Sequence, residues 1–285
     1  MKVVSTVIEL QTRLKEMHLS PVGFVPTMGA LHEGHISLVH CASKQCPVVV
    51  VSIFVNPAQF NDKNDLKNYP RTPDNDLALL KKVLRETDLV FIPEVKEIYP
   101  EEDKREFHFA NLDNVMEALH RQGHFNGVAQ VVSRLFEIVK PDIAIFGLKD
   151  FQQLAVIKAL VKQTGNKVKI ISNPIIRENN GLAMSSRNRM LEPEIRSKAA
   201  IIYKTISTVI KLINNRDITE IKSFVRDNIE TVPGFKVEYF EIVDDTDLIP
   251  LNTIDEMRKD KRYFGCIAVF AGKIRLIDNI EIGLV

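Results

Sequence analysis

Residues 47–55 read Pro-Val-Val-Val-Val-Ser-Ile-Phe-Val, a β-branched run with almost no polar interruption. A sheet with one wet face alternates polar and apolar positions. An unbroken run needs cover on both faces, as a parallel strand of an α/β sheet has. Val22–Val25, Asp88–Ile92 (DLVFI), Ile143–Phe146 (IAIF) and Val168–Ile171 repeat the signal. Helix-period stretches lie between them. Residues 3–18 put Val7, Leu10, Leu14 and Met17 on one face, with Thr6 and Glu9 spaced as a capping box. Ile36–Gln45, Pro73–Glu86, Gly127–Val139 and Phe151–Thr164 are the other helices expected. Residues 56–72 read as a polar loop, and 93–125 as irregular with a strand at Glu106–Ala110. Strands alternating with helices of this length predict right-handed crossovers and a Rossmann-like open parallel sheet, an α/β fold. Ligands of such sheets bind beyond the C-terminal strand ends.

The pattern changes near residue 176. A turn region, 177–190, leads to helices over about 193–214 and 218–230, then to strands Lys236–Val243, Gly265–Phe270 and Lys273–Ile277. The last two form a hairpin with Ala271-Gly272 as its turn. The expected organisation is a Rossmann-like domain over 1–175 and a smaller α+β domain over 176–285.

Charge and cysteine usage exclude several classes. Lys+Arg 38 against Asp+Glu 37 leaves a net charge of +1, which supports neither a nucleic-acid nor a membrane partner. Val48–Val55 is far too short to span a bilayer, and the N-terminus lacks the cleavage site of a signal peptide. Three cysteines, Cys41, Cys46 and Cys266, suit a reduced, cytoplasmic chain.

The chemistry concentrates after the first strand, at Pro26–His35 (PTMGALHEGH). A strand, a Gly-broken loop and a helix N-terminus form a phosphate site, because the helix end offers unpaired N–H groups and partial positive charge. His32 and His35 add neutral donors. His32, His35, His40 and Cys41 lie close in sequence, but no HExxH helix or CxxC pair completes a zinc set. A second loop, Ala183–Asn188 (AMSSRN), offers two hydroxyls and a guanidinium fork suited to phosphate.

An HxGH loop followed by a downstream Met-Ser-x-basic loop resembles the nucleotidyl-transferring superfamily, whose members attack the α-phosphate of ATP and release pyrophosphate. Phe54–Phe60 (FVNPAQF), Asn68–Thr72 (NYPRT), Gly123–Val128 (GHFNGV) and Lys149–Gln153 (KDFQQ) narrow the resemblance to the pantoate–β-alanine ligase family. The resemblance implies ATP-dependent condensation of (R)-pantoate with β-alanine through a pantoyl-adenylate, with Mg2+ accompanying ATP and a homodimeric assembly.

It also implies residue roles. His35 and His32 act on the phosphate charge, with Lys149, Ser185, Ser186 and Arg187 as the further catalytic groups. Met28, Gly29, Ala30, Leu31, His32, Glu33, Gly34 and His35 line ATP, as do Gly147, Leu148, Lys149, Asp150, Ile176 and Met184–Arg187. Asn56, Gln59 and Gln153 bind pantoate, and Gln59 also meets β-alanine. Residues 1–175 then hold nucleotide and pantoate, and 176–285 form a lid hinged near 172–180. The resemblance assigns no protein ligand to the metal; Asp76 reads either as a metal-ligand candidate or as a first-turn helix residue. Asp150 either orients ribose or caps the Phe151 helix. Leu148 stands where the family writes Glu, Gln122 where it writes Pro, and Gln130 where it writes Thr. Two further readings stay open: another nucleotidyltransferase of this superfamily, and a non-catalytic nucleotide-binding regulator.

Overall fold

The computed structural model describes residues 1–60 and 63–283. The polar loop expected over 56–72 therefore includes two positions, 61 and 62, outside the described residues. The chain opens with β1 (Lys2–Val4), α1 (Val7–Met17), β2 (Val22–Thr27), α2 (Glu33–Ser43) and β3 (Val48–Ile53). Helices α3 (Lys63–Asn68) and α4 (Pro73–Lys81) lead to β4 (Leu89–Phe91), followed by α5 (Val95–Ile98), α6 (Glu117–His120) and α7 (His124–Val139). Then come β5 (Ile143–Gly147), α8 (Phe151–Thr164), β6 (Lys169–Asn173), α9 (Pro193–Lys198), α10 (Ala200–Leu212) and α11 (Ile218–Glu230). Strands β7 (Phe235–Asp244), β8 (Tyr263–Ala271) and β9 (Ile274–Ile282) close the chain. No helix among the described residues is long and apolar enough to cross a membrane.

Two compact units result. The first comprises Met1–Phe109, His120–Leu148 and Val156–Pro174; the second comprises Ala110–Leu119, Lys149–Ala155 and Ile175–Val285. In the first, six strands among the described residues pair in the order β1-β4-β3-β2-β5-β6, every pair parallel. Strand β3 is buried at all its positions, as its β-branched run requires. From β2 the chain steps outward through β3 to β4, then returns to β5 on the opposite side. The order thus reverses between β2 and β5, and the segments leaving these strands border the crevice where α/β sheets take ligands.

Several elements differ from the expected ones for local reasons. Residues 2–4 form an edge strand on β4 instead of starting a helix, because Thr6 stops the helix there by accepting the Glu9 N–H (3.2 Å). Helix α4 ends at Lys81; the Arg85 N–H and guanidinium turn to the buried Asp88 instead. No strand forms over 106–110. That segment is held by side chains, the Phe107 N–H donating to Asn126 Oδ1 (2.9 Å). The expected polar loop carries the short helix α3 and a 3-10 turn at Pro57–Gln59.

The second unit packs α10 and α11 with the antiparallel sheet β7-β8-β9. Ile202, Ile206 and Val209 from α10, and Ile221, Val225 and Ile229 from α11, share a core with Val237, Ile267, Val269 and Leu276. Burying each such side chain stabilises by roughly 1.5–3 kcal/mol. The helix expected over 193–214 is two helices meeting at Ala199. Ala271 pairs with Ile274, so the hairpin turn is Gly272-Lys273 and not Ala271-Gly272.

Candidate active site

The loop leaving β2 is tightly built. Gly29 and Ala30 both adopt left-handed φ values, 78° and 48°. This turns successive N–H groups inward: Ala30 N–H donates to Asp76 Oδ2 (2.9 Å) and Leu31 N–H to Asp76 Oδ1 (2.8 Å). A Cβ on residue 29 would stand 3.0 Å from Asp76 Oδ2, on a backbone conformation that side chains rarely adopt. The Gly29 N–H goes to Thr27 Oγ1 (3.3 Å), and Thr27 Oγ1 donates to the Ser52 carbonyl (2.7 Å).

At the start of α2 the two histidines cap each other. Gly34 N–H donates to His32 Nδ1 (3.1 Å), and His32 N–H donates to His35 Nδ1 (3.3 Å), with ring centroids 4.1 Å apart. The N–H groups of His35 and Ile36 go to the His32 carbonyl. The expectation of a helix end with unpaired N–H groups is therefore corrected. The N–H groups of Gly29, Ala30, Leu31, His32, Gly34, His35 and Ile36 all bond within the protein. A ring nitrogen that accepts a hydrogen bond carries no proton, so each neutral imidazole holds its hydrogen on Nε2. These N–H groups are thus engaged, and the loop keeps its imidazole N–H groups as donors toward an anion.

Other expected residues gather around this loop in the first unit. Leu148 N–H donates to the Asn173 carbonyl (2.9 Å), and Asn173 Nδ2 to Ser37 Oγ (2.9 Å), which bonds the Gly34 carbonyl (2.7 Å). The segment after β5, Gly147–Leu148, is thus tied to the first turn of α2. Gln59, 7% exposed, sets its amide nitrogen against Met28 Sδ (2.7 Å). Asn56 is 1% exposed; its Nδ2 donates to the Gly127 carbonyl (3.0 Å), and its Oδ1 accepts from the Tyr99 hydroxyl (3.1 Å) and Ala58 N–H (3.3 Å). Burial holds the Tyr99 hydroxyl far above its usual titration range, keeping it a neutral donor to Asn56.

The GHFNGV stretch supports that turn from α7. The buried His124 uses Nδ1–H to bond the Gln59 carbonyl (2.8 Å). At Gly127 an added Cβ would lie 2.6 Å from the Ala58 carbonyl carbon and 2.8 Å from Gln59 Cα. Helix and turn meet backbone to backbone, which only glycine permits. Gln130 donates to the carbonyls of Asp103 (2.9 Å) and Arg105 (2.8 Å).

The remaining residues belong to the second unit. Residues 177–183 form a tight hairpin, with the Arg177–Ala183 bridge and Gly181 N–H to the Glu178 carbonyl. Met184 N–H donates to the Ile176 carbonyl (2.9 Å), so Ile176 and Met184, both half-buried, are neighbours. Ser185 caps a 3-10 turn by accepting the Arg187 N–H (3.3 Å); Ser186 is buried and Arg187 half-buried. Asn188 pins this loop through Ala183 O (3.0 Å) and Glu178 Oε1 (2.8 Å). Arg177 forks onto the buried Asp278 (2.6 and 2.9 Å), and Asn279 Nδ2 donates to the Lys149 carbonyl (3.1 Å). Asp150 is exposed and its carbonyl accepts the Leu154 N–H, while Gln153 is half-buried in the first turn of α8. Its neighbour Gln152 is the buried one, bonding Glu117 N–H, Leu112 O and Val115 O.

Glu33 is exposed beside His32. The sequence offered Asp76 only as a metal-ligand candidate and did not mark Asn173: each acts on sequence-distant backbone or side chains, and no motif spacing announces such a partner. Among the described residues no group of three or more His, Cys, Asp or Glu side chains is placed to hold a metal ion.

Comparison with known proteins places this architecture. The family description pantoate-beta-alanine ligase matches residues 2–281. The pantothenate synthetase of Azobacteroides pseudotrichonymphae is 51% identical over 285 residues, covering 98% of this chain and 99% of that protein. The crystal structure of pantothenate synthetase from Thermus thermophilus superposes with a TM-score of 0.88 at 40% identity, covering 99% of each chain. That of pantoate-beta-alanine ligase from Francisella tularensis, complexed with beta-gamma ATP and beta-alanine, gives 0.77 at 33% identity, covering 99% of this chain and 97% of that one. The fold agrees with the Rossmann-like expectation, and the chain belongs to the pantoate–β-alanine ligase family.

Proposed function

We infer that the protein condenses (R)-pantoate with β-alanine to give pantothenate, consuming ATP and releasing AMP and pyrophosphate. The observation that carries this reading is the family match over residues 2–281, in a chain that keeps His32, His35, Lys149 and Ser185–Arg187. A carboxylate is a poor acyl donor to an amine. Attack of the pantoate carboxylate on the α-phosphate makes an acyl-adenylate with AMP as leaving group, and β-alanine's amine then displaces it.

In this reading the Nε2–H groups of His32 and His35 stabilise charge that grows on the phosphate oxygens. Met28–His35, Gly147–Asp150, Ile176 and Met184 contact ATP, while Lys149, Ser185, Ser186 and Arg187 share the transition-state charge. Each preorganised donor of this type is worth about 10²–10³ in turnover. Asn56, Gln59 and Gln153 receive pantoate, with Gln59 also meeting β-alanine. Mg2+ entering with ATP would supply positive charge at the phosphates, the chemistry this ion commonly brings to a nucleotide.

A cytoplasmic location fits the three free thiols, Cys41, Cys46 and Cys266. A homodimer is expected from the family and is checked by sedimentation equilibrium. The lid role for 176–285 is checked by limited proteolysis with and without ATP and pantoate; identical cleavage counts against it.

Exchange of labelled pyrophosphate into ATP tests the first half-reaction. Exchange that requires pantoate is the expected result. Exchange driven by a different acid or a phosphate ester, and not by pantoate, would identify another nucleotidyltransferase.

A further inference from the structure

We propose that Asp76 is the positioning residue of the phosphate-binding loop, setting Ala30 and Leu31 so that His32 and His35 meet the nucleotide in register. The inference rests on the adenylation reading. Its basis is the geometry of one buried carboxylate. Asp76 is 1% exposed, sits in the first turn of α4, and receives Ala30 N–H at Oδ2 and Leu31 N–H at Oδ1. Thr72 Oγ1 donates to the same Oδ1 at 3.0 Å, which fixes the rotamer. A charged group at this depth is kept only where it is well bonded.

What these bonds do follows from where they fall. Two consecutive residues, Gly29 and Ala30, have positive φ, and for Ala30 that conformation is costly without an external hold. A carboxylate is the side chain that accepts two adjacent N–H donors at once. Leu31, itself fully buried, directly precedes His32, so the clamp fixes the backbone entering the α2 cap. The two imidazoles are then built on His32 and Gly34 N–H bonds that start from this fixed point. Asp76 touches no reacting atom; it acts through the loop.

The test separates the two half-reactions. Asp76→Asn keeps size but turns an –NH2 toward an N–H donor, so loop and carboxamide must part. Pantoate-dependent pyrophosphate exchange should fall by about 10²-fold, the cost of roughly 1 Å of misplacement. Aminolysis of supplied pantoyl-adenylate by β-alanine should keep its rate. Asp88→Asn is the control. Asp88 is equally buried and bonds Val49 N–H and Arg85 near the strand starts, away from the loop. It should lower thermal stability while leaving the ratio of the two half-reactions unchanged. Where Asp76→Asn does not fold, Thr72→Ala should lower exchange in the same sense by a smaller factor, and Thr72→Ser should restore it. Equal loss of both half-reactions in Asp76→Asn, as in the control, or a Thr72→Ala protein with an unaltered ratio, overturns the inference alone. A wild-type protein that exchanges no pyrophosphate with pantoate overturns the adenylation reading, and this inference with it.

Discussion

The His32 N–H donates to Nδ1 of His35 at 3.3 Å, and this one bond decides which nitrogen of His35 is available for chemistry. With Nδ1 accepting, the ring proton of the neutral side chain sits on Nε2, and the same holds for His32 through Gly34. Asn and Gln substitutions at 35 separate the two functions. His35→Asn keeps an acceptor near the Nδ1 position and loses the distal donor; His35→Gln keeps a distal N–H and loses the cap. His35→Asn should retain thermal stability yet lose about 10²–10³ in adenylation rate, with His35→Ala no faster. Calorimetry alongside pyrophosphate exchange checks this. A His35→Asn enzyme of normal rate would remove His35 from the mechanism.

Gly127→Ala should loosen the turn proposed to receive pantoate, reaching the nucleotide loop only through the Gln59–Met28 contact. Its Cβ meets the backbone of Ala58 and Gln59, neither of which can step aside as a side chain would. The expected outcome is about 1–3 kcal/mol of lost stability and a raised KM for pantoate, with KM for ATP nearly unchanged. Urea unfolding and steady-state kinetics measure the two effects.

The Arg105–Asp103 pair predicts a pH-dependent contribution to stability. Hydrogen bonding from the Arg105 guanidinium holds the Asp103 carboxyl below its ordinary value. A group whose pKa is lowered on folding contributes stability above its unfolded pKa and loses it as pH falls through the folded one. Arg105→Ala should therefore weaken the fold at pH 7, and the gap from wild type should narrow as pH falls below about 4, the free aspartate value. Urea titrations at pH 7 and pH 3 supply the comparison; an equal gap at both would contradict the assignment.

Thiol reactivity should divide the cysteines by burial. Burial raises the thiol pKa of both Cys46 and Cys266, while Cys41 is partly exposed on α2. Thiolate is the reactive form. One equivalent of a thiol reagent should therefore label Cys41 in the native protein, and the other two should react only on unfolding, as read by peptide mapping.

The sequence made strands β2, β3 and β5 legible because each is a compact apolar run between helix-period stretches. Strand β1 escaped notice: three residues carry no periodicity, and pairing with the distant β4 is what orders them. Residues 93–125 were opaque for a related reason. Their order comes from side chains reaching far along the chain, such as Gln130 to the Asp103 and Arg105 carbonyls. At the site, the HxGH and MSSR loops were visible as motifs, but the fate of their backbone was not. The acceptor of the Ala30 N–H lies 46 residues downstream in α4. Histidine is also not among the usual N-cap residues, so neither the clamp nor the mutual cap had a local signal.

If pantoate is activated as its adenylate, its own carboxylate oxygen attacks the α-phosphate and leaves with AMP. Pantoate labelled with 18O in its carboxylate, incubated with the protein, ATP, Mg2+ and β-alanine, reports this directly by mass spectrometry of the nucleotide product. The expected result is pantothenate formed together with AMP that carries one 18O atom from each labelled pantoate. AMP free of label, or ADP as the nucleotide product, would contradict it.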